Sequence, residues 1–287
     1  MKSLKYILKN KYPSLINIKR NFFDFYSNMS NLKDVYILDK MSEIQKNGPN
    51  PFNRFGKKCF SQTDEDGITL EIIKRIGCND GSYIEFGVGD GLECNTLILA
   101  ALGWRGFWVG GEDLAFNIKN KNKFLYIKDW ITLDNITNLA RDGLNKLGIQ
   151  SVDLISLDLD GNDIYFVQDL LGKGFLPKIF IVEYNGKFPP PVKFQIEYDA
   201  KHQWVGDDYF GASLSSFVDL FSTYGYRLIC CNAHTGSNAF FVKNEYISLF
   251  SEVPSDIEQI YVAPRYHLVN KSGHRQSSKT IEKLFNS

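Results

Sequence analysis

The sequence has no surplus of charge: 33 lysines and arginines offset 33 aspartates and glutamates over 287 residues. A neutral chain projects no long-range field toward nucleic acid or an acidic partner, so nucleic-acid binding is not expected. Cysteine is scarce. Cys59, Cys78, Cys94, Cys230 and Cys231 are odd in number and show no Cys-x-x-Cys spacing, which argues for reduced thiols rather than a disulfide framework. Long hydrophobic runs are missing too. The longest purely apolar one, Leu97 to Leu102, falls far short of the roughly 20 residues of a membrane span. The first 23 residues hold six lysines or arginines and no acid, but they lack the apolar stretch of roughly seven residues that a secretory signal needs. The expectation is a cytoplasmic protein with no transmembrane span. Leu4, Ile7 and Leu8 beside Lys5 and Lys9 could rest on an anionic membrane, yet so short an apolar face binds weakly, and a solvated helix is the plainer reading. No Gly-x-Ser-x-Gly elbow, His-Glu-x-x-His helix or Walker-type loop occurs, which leaves serine hydrolases, zinc proteases and P-loop NTPases without support.

What is present begins with 44% hydrophobic residues, enough for one substantial core. Residues 1–57 mix lysine, asparagine and aromatics without a sustained period and read as an N-terminal extension, with the turn cluster Asn47 to Pro51 near its end. Residues 58–245 read as one catalytic domain. Ile68, Ile72, Ile73 and Ile76 mark a helix that stops at Gly77. After it, strand-like runs SYIEFGV, GFWVG, KFLYI, DLISLDL and KIFIVEY alternate with helical periods starting near Glu93, Leu114, Asn135 and Asp163. Such alternation predicts a doubly wound, mostly parallel sheet with helices on both faces. A further helix at 212–224 precedes YRLICC and NAFFVK, which are separated only by Asn232 to Ser237 and predict a terminal antiparallel hairpin. Residues 186–211, with Pro189 to Pro191 in succession, are too long for an ordinary loop and read as a substrate lid. Residues 246–287 read as a helical or partly flexible tail.

The strongest local signal is Glu85-Phe86-Gly87-Val88-Gly89-Asp90-Gly91, where the first strand hands over to a helix. Glycines there permit positive φ and let a ligand approach the backbone. A dinucleotide fingerprint would place glycine or alanine at position 92, but Leu92 stands there, which favours S-adenosylmethionine (SAM) over NAD. An acid for ribose hydroxyls belongs after the second strand; Glu112 is in place, with Asp113 beside it. Asp129 and Trp130 follow the third strand, where they could receive an adenine, although Trp130 could equally be core.

Asp158 and Asp160 lie two apart at a strand end, and Glu183 with Asn185 repeats the spacing on the next strand. Four hard oxygen donors so placed would suit Mg²⁺, Mn²⁺ or Ca²⁺, lowering the pKa of an acceptor hydroxyl. The alternative is that Asp160 or Asp163 caps the next helix, Glu183 holds a substrate hydroxyl, and no metal binds. A base for methyl transfer could then be His202 in the lid or His234 in the hairpin turn. His267 and His274 read as solvated. The rings of Tyr198, His202, Trp204, Tyr209 and Phe210 would suit a carbohydrate, or simply form the lid's own core.

Taken in order, SQTDEDGI, YIEFGVGDGLECNT, GWRGFWVGGED, LISLDLDGND, IVEYN, YFGASL and CNAHTGSNAFFV resemble the FkbM-like branch of class I SAM-dependent methyltransferases, over roughly residues 61–245. The resemblance implies a Rossmann-like, seven-stranded fold and an association with bacterial surface-glycan synthesis. It implies SAM contacts at Gln62, Glu85, Gly87, Gly89, Glu93, Asn95, Thr96, Glu112 and Asp129; Asp158 counts in the cofactor set as well as the metal set. The chain departs from the branch at Gly110, where an acid usually closes the second strand.

Three readings follow. The leading one is O-methylation of a small acceptor, a sugar nucleotide or glycan precursor, with catalytic roles for Asp160 and for His202 or His234. The others are an NAD-dependent oxidoreductase and a non-catalytic glycan-binding module on the same fold. The sequence is compatible with a homo-oligomer and does not specify one.

Overall fold

Buried apolar strands flanked by amphipathic helices assemble, in this computed structural model, into one seven-stranded sheet; the structure describes residues 13–119, 123–266 and 277–286. The strands are β1 (Ser82–Phe86), β2 (Arg105–Gly110), β3 (Phe124–Lys128), β4 (Leu154–Leu157), β5 (Ile179–Glu183), β6 (Tyr226–Cys231) and β7 (Asn238–Lys243). Their order is β3-β2-β1-β4-β5-β7-β6. The first five are parallel, and β7 runs antiparallel to both β5 and β6. The fold is therefore the Rossmann-like, doubly wound sheet with a terminal hairpin that the apolar pattern predicts.

The helices are α1 (Pro13–Asn47), α2 (Glu65–Arg75), α3 (Leu97–Ala101), α4 (Ile136–Leu147), α5 (Asp163–Gly172), α6 (Leu214–Thr223), α7 (Ile257–Ile260) and α8 (Ser278–Asn286). Acids open α2 and bases close it, matching the helix dipole. Gly148, at φ 61°, ends α4 in the left-handed region, as its position after the last apolar residue predicts.

Two expectations change. No helix forms over 111–119 among the described residues; the segment instead runs along the sheet edge, where Ala115 N–H donates to the Asp90 carbonyl at 2.9 Å and Phe116 is buried. Residues 13–47, where interleaved aromatics obscure the period in sequence, form the single 35-residue helix α1. Leu4, Ile7, Leu8, His267 and His274 lie outside the described residues.

Phe86, Phe107, Trp108, Phe180 and Phe240 are fully buried in the core, each contributing on the order of 2–3 kcal/mol of apolar burial. The tail joins that core. Phe285 of α8 stacks on Phe124 at 3.9 Å and meets the edge of Trp108 at 5.4 Å. No described helix is long and apolar enough to cross a membrane.

Candidate functional site

In an open parallel sheet, ligands meet the carboxyl edge where strand order reverses, and here that point lies between β1 and β4. The glycine loop leaves β1 on one side, and Asp158 to Asn162 leave β4 on the other. The glycines differ in purpose. A Cβ on Gly87 would lie 1.6 Å from the Asp158 carbonyl oxygen, and one on Gly91 would meet Leu114, Phe116 and Trp108. Both are glycine because protein fills the space. Gly89, at φ 49°, faces open space with nothing within 4 Å, so it alone of the three leaves room for a ligand.

Glu85, Asn95 and Thr96 are joined to one another below the glycine loop. Glu85 Oε1 accepts from Asn95 N–H at 2.8 Å, while Oε2 accepts from Thr96 N–H at 3.0 Å and from the Thr96 hydroxyl. Thr96 Oγ1 also accepts from Trp108 Nε1 at 2.8 Å, and Asn95 Nδ2 donates to Ser156 Oγ at 3.2 Å. All three are buried. Their side chains brace the loop from beneath, and burial raises the Glu85 carboxyl to about 7.

Gln62, Glu93, Glu112 and Asp129 are exposed. The Glu112 loop is pinned by the Tyr126 hydroxyl, which donates to the Gly110 carbonyl at 3.0 Å and also to that of Glu112. Asp129 N–H donates to Gly110 at 3.0 Å, joining the ends of β2 and β3. Asp113 pairs with Lys128 at 2.7 Å. Trp130 is half-exposed, and its indole N–H donates to Ala200 of the 186–211 connection at 3.0 Å.

Across the switch point, Asp158, Asp160 and Glu183 each offer a carboxylate oxygen within 4.8 Å of the others. Asp158 and Glu183 are held well above the ordinary carboxyl range, first by burial and then by the neighbouring acids. Asp160 sits at φ 54°, the one non-glycine residue at positive φ among those described. Such a conformation costs about 1 kcal/mol and is often retained at functional sites. Asp163 keeps the turn in shape by accepting from Leu159 N–H at 2.8 Å and Gly161 N–H at 2.9 Å. It holds the loop ahead of α5 and does not cap the helix, whose N-cap Asn162 makes no side-chain cap bond; neither Asp160 nor Asp163 is the helix cap that the metal-free reading supposes.

Asn185 does not extend the acidic cluster. Its amide donates to the Asp208 and Phe210 carbonyls at 3.0 and 2.9 Å, and its Oδ1 accepts from Lys187 N–H at 3.2 Å. It anchors the connection, which then crosses the carboxyl edge: Tyr165 OH donates to Ile196, Asn162 Nδ2 to Asp199, and Leu133 N–H to the Tyr198 hydroxyl. Within it, His202 packs on Gly161, where an added Cβ would lie 2.3 Å from the imidazole. Its Nε2 is buried and has no hydrogen-bond partner among the described residues.

His234 belongs to a second network. Its backbone N–H and that of Ala233 donate to the buried Asp64, while Asn232 Nδ2 bonds Thr63, Asp64 and Glu65; the His234 imidazole Nδ1 is buried without a hydrogen-bond partner among the described residues. Burial lowers the His234 imidazole to about 4, so it is neutral at physiological pH. Tyr266, which no sequence pattern marks, has its phenol pushed to about 12 by burial and then by Glu183; only the fold of the tail brings the two together. Two cavities, of about 110 and 610 Å³, lie at the opposite, amino edge beside Trp104 and Phe285 and beside Arg141 and Lys173.

No protein-family model matches the sequence, and no curated protein does. Solved structures resemble it distantly. The methyltransferase domain of bacterial CtHen1-C shares 12% identity at a TM-score of 0.37, covering 62% of this chain and 97% of its own. Cofactor-bound Rv0187 from MTB shares 12% at 0.38, covering 72% and 96%. The glycopeptide N-methyltransferase MtfA, complexed with (S)-adenosyl-L-homocysteine (SAH), shares 12% at 0.35, covering 66% and 94%. At these scores the likenesses carry no argument about chemistry.

Proposed function

We propose that this protein is a SAM-dependent methyltransferase acting on a hydroxyl of a sugar or sugar nucleotide in the synthesis of a bacterial surface polysaccharide. The observation that carries the reading is the position of Gly89, open at the switch point, opposite the Asp158–Asp160–Glu183 cluster. The exposed side chains of Gln62, Glu93, Glu112 and Asp129, together with Asp158, are the candidates that would hold the nucleoside and amino-acid ends of the cofactor. Leu92 and the antiparallel β7 both depart from the dinucleotide-binding pattern and count against NAD.

Bound SAM supplies a methyl carbon activated by its sulfonium. Methylation of a hydroxyl would form a carbon–oxygen bond as the carbon–sulfur bond breaks, and would require the hydroxyl proton to leave. His202, on the connection and packed at the Asp160–Gly161 turn, is better placed to take it than His234, whose imidazole is lowered by burial to about 4 and so makes a weak base. Asp158, Asp160 and Glu183 are hard oxygen donors at a spacing that fits Mg²⁺ or Mn²⁺, whose charge would favour the acceptor's alkoxide. The exposed rings of Trp204 and Tyr209 give the connection surfaces suited to sugar C–H faces.

Calorimetry of the purified protein with SAH, followed by mass spectrometry of sugar nucleotides incubated with SAM, tests the proposal. Binding of SAH and a product heavier by one methyl group support it; tight NAD binding with no SAH binding overturns it.

A further inference from the structure

Helix α1 is about 52 Å long at 35 residues, yet the domain covers only its last turns. Ile37 and Met41 bury against Ala233, with Ile44 beside them. Ahead of them Ile18, Phe22, Phe25, Met29, Leu32 and Tyr36 stand 51–70% exposed. A helix with such a face in water is unfinished.

The spacing of these six identifies what finishes it. They alternate steps of four and three residues, the seam of a coiled coil, with Phe22, Met29 and Tyr36 at a and Ile18, Phe25 and Leu32 at d. The repeat begins in the sequence at Leu15, giving about three heptads. Interleaved Phe23, Tyr26, Val35 and Leu38 hide it from a simple reading. At 100° per residue the seam lies roughly a quarter-turn from the stripe that meets the domain, so the domain cannot cover it.

Large side chains of roughly 150–200 Å², exposed to this degree, amount to on the order of 600 Å² per helix, near what one partner buries in a standard interface. Charge selects the occupant. Five basic and four acidic residues interleave along α1, which gives an anionic bilayer little to attract. Lys19, Tyr26, Lys33 and Lys40 occupy e, and Asn21, Asn28 and Val35 occupy g. A parallel pair sets Asn21, Asn28 and Val35 against Tyr26, Lys33 and Lys40, with no like charges opposed, whereas an antiparallel pair sets the row of three lysines and Tyr26 against itself, lysine facing lysine. We infer that α1 pairs in parallel with α1 of a second copy of this chain, making the protein a coiled-coil dimer.

Sedimentation velocity of the full chain at micromolar concentration tests this. A dimer is expected, and the pair Phe22→Glu and Met29→Glu weakens it at least about 100-fold. Phe23→Glu, equally exposed but off the seam, leaves it intact. In a Cys59→Ser background, Ile18→Cys cross-links to itself under mild oxidation. A full-length monomer, equal loss with Phe23→Glu, a monomer that binds anionic vesicles, or cross-linking of Ile18→Cys only to Tyr36→Cys overturns the inference. Near-ultraviolet dichroism shows that each variant keeps the domain folded.

Discussion

The carboxylate of Glu85 closes on Thr96, accepting its N–H at 3.0 Å and its hydroxyl, from the end of one strand to the start of a helix. This contact sets the shape of the glycine loop between them. Burial raises the Glu85 carboxyl to about 7, so between its unfolded value and pH 7 the folded chain binds more protons than the unfolded one. Its stability contribution is present at low pH and falls as pH rises, by about 3 kcal/mol in all. Glu85→Gln removes that slope. Denaturant titrations should show the variant most destabilised near pH 5 and least near pH 8; a difference independent of pH would refute the assignment.

The glycine loop separates fold from binding. Gly87→Ala drives a methyl into the Asp158 carbonyl and is expected to cost about 4 kcal/mol or more, or to prevent folding. Gly89→Ala meets only the strain of positive φ, about 1 kcal/mol. It should fold with a nearly unchanged Tm while SAH affinity drops at least about tenfold. Thermal scans and calorimetry on the two variants check this; unimpaired SAH binding by the second removes Gly89 from the site.

Asp158 and Glu183 both sit above the ordinary carboxyl range because burial and neighbouring acids oppose their ionisation. Raised carboxyls destabilise the fold as pH climbs. Glu183→Gln should therefore stabilise the protein at pH 8 by about 1–2 kcal/mol, with the gain shrinking toward pH 5. Mn²⁺ should raise the Tm of the parent and leave that of the variant unchanged. A variant still stabilised by Mn²⁺ would show that the metal binds elsewhere.

Asn185 is fully buried and supplies two donors to the connection. Asn185→Ala strands those carbonyls at a cost of about 2–3 kcal/mol. Limited proteolysis should cut within 186–211 sooner in the variant, with the rest of the domain intact. Cleavage at the parent's rate would mean the other tethers suffice.

Much of this was legible in the residues. β1, β4 and β5 are mostly apolar and buried, because parallel strands are covered on both faces, and Gly148 ends α4 where the helical period stops. The pair spacing of Asp158 and Asp160 foretold a shared edge, which Glu183 joins. Asn185 could not be read correctly, since its amide is decided by carbonyls more than 20 residues away. Nor could Tyr266, brought to Glu183 by the fold of the tail.

The sequence by itself determined the strand order's raw material, the glycine loop and the acidic strand ends, because periodicity and local backbone preference act over a few residues. Tertiary structure alone decided which glycine faces open space, that Glu85, Asn95 and Thr96 point inward, and that α1 leaves its seam uncovered. Those outcomes depend on what lies opposite each side chain, and no short stretch of sequence carries its own neighbour.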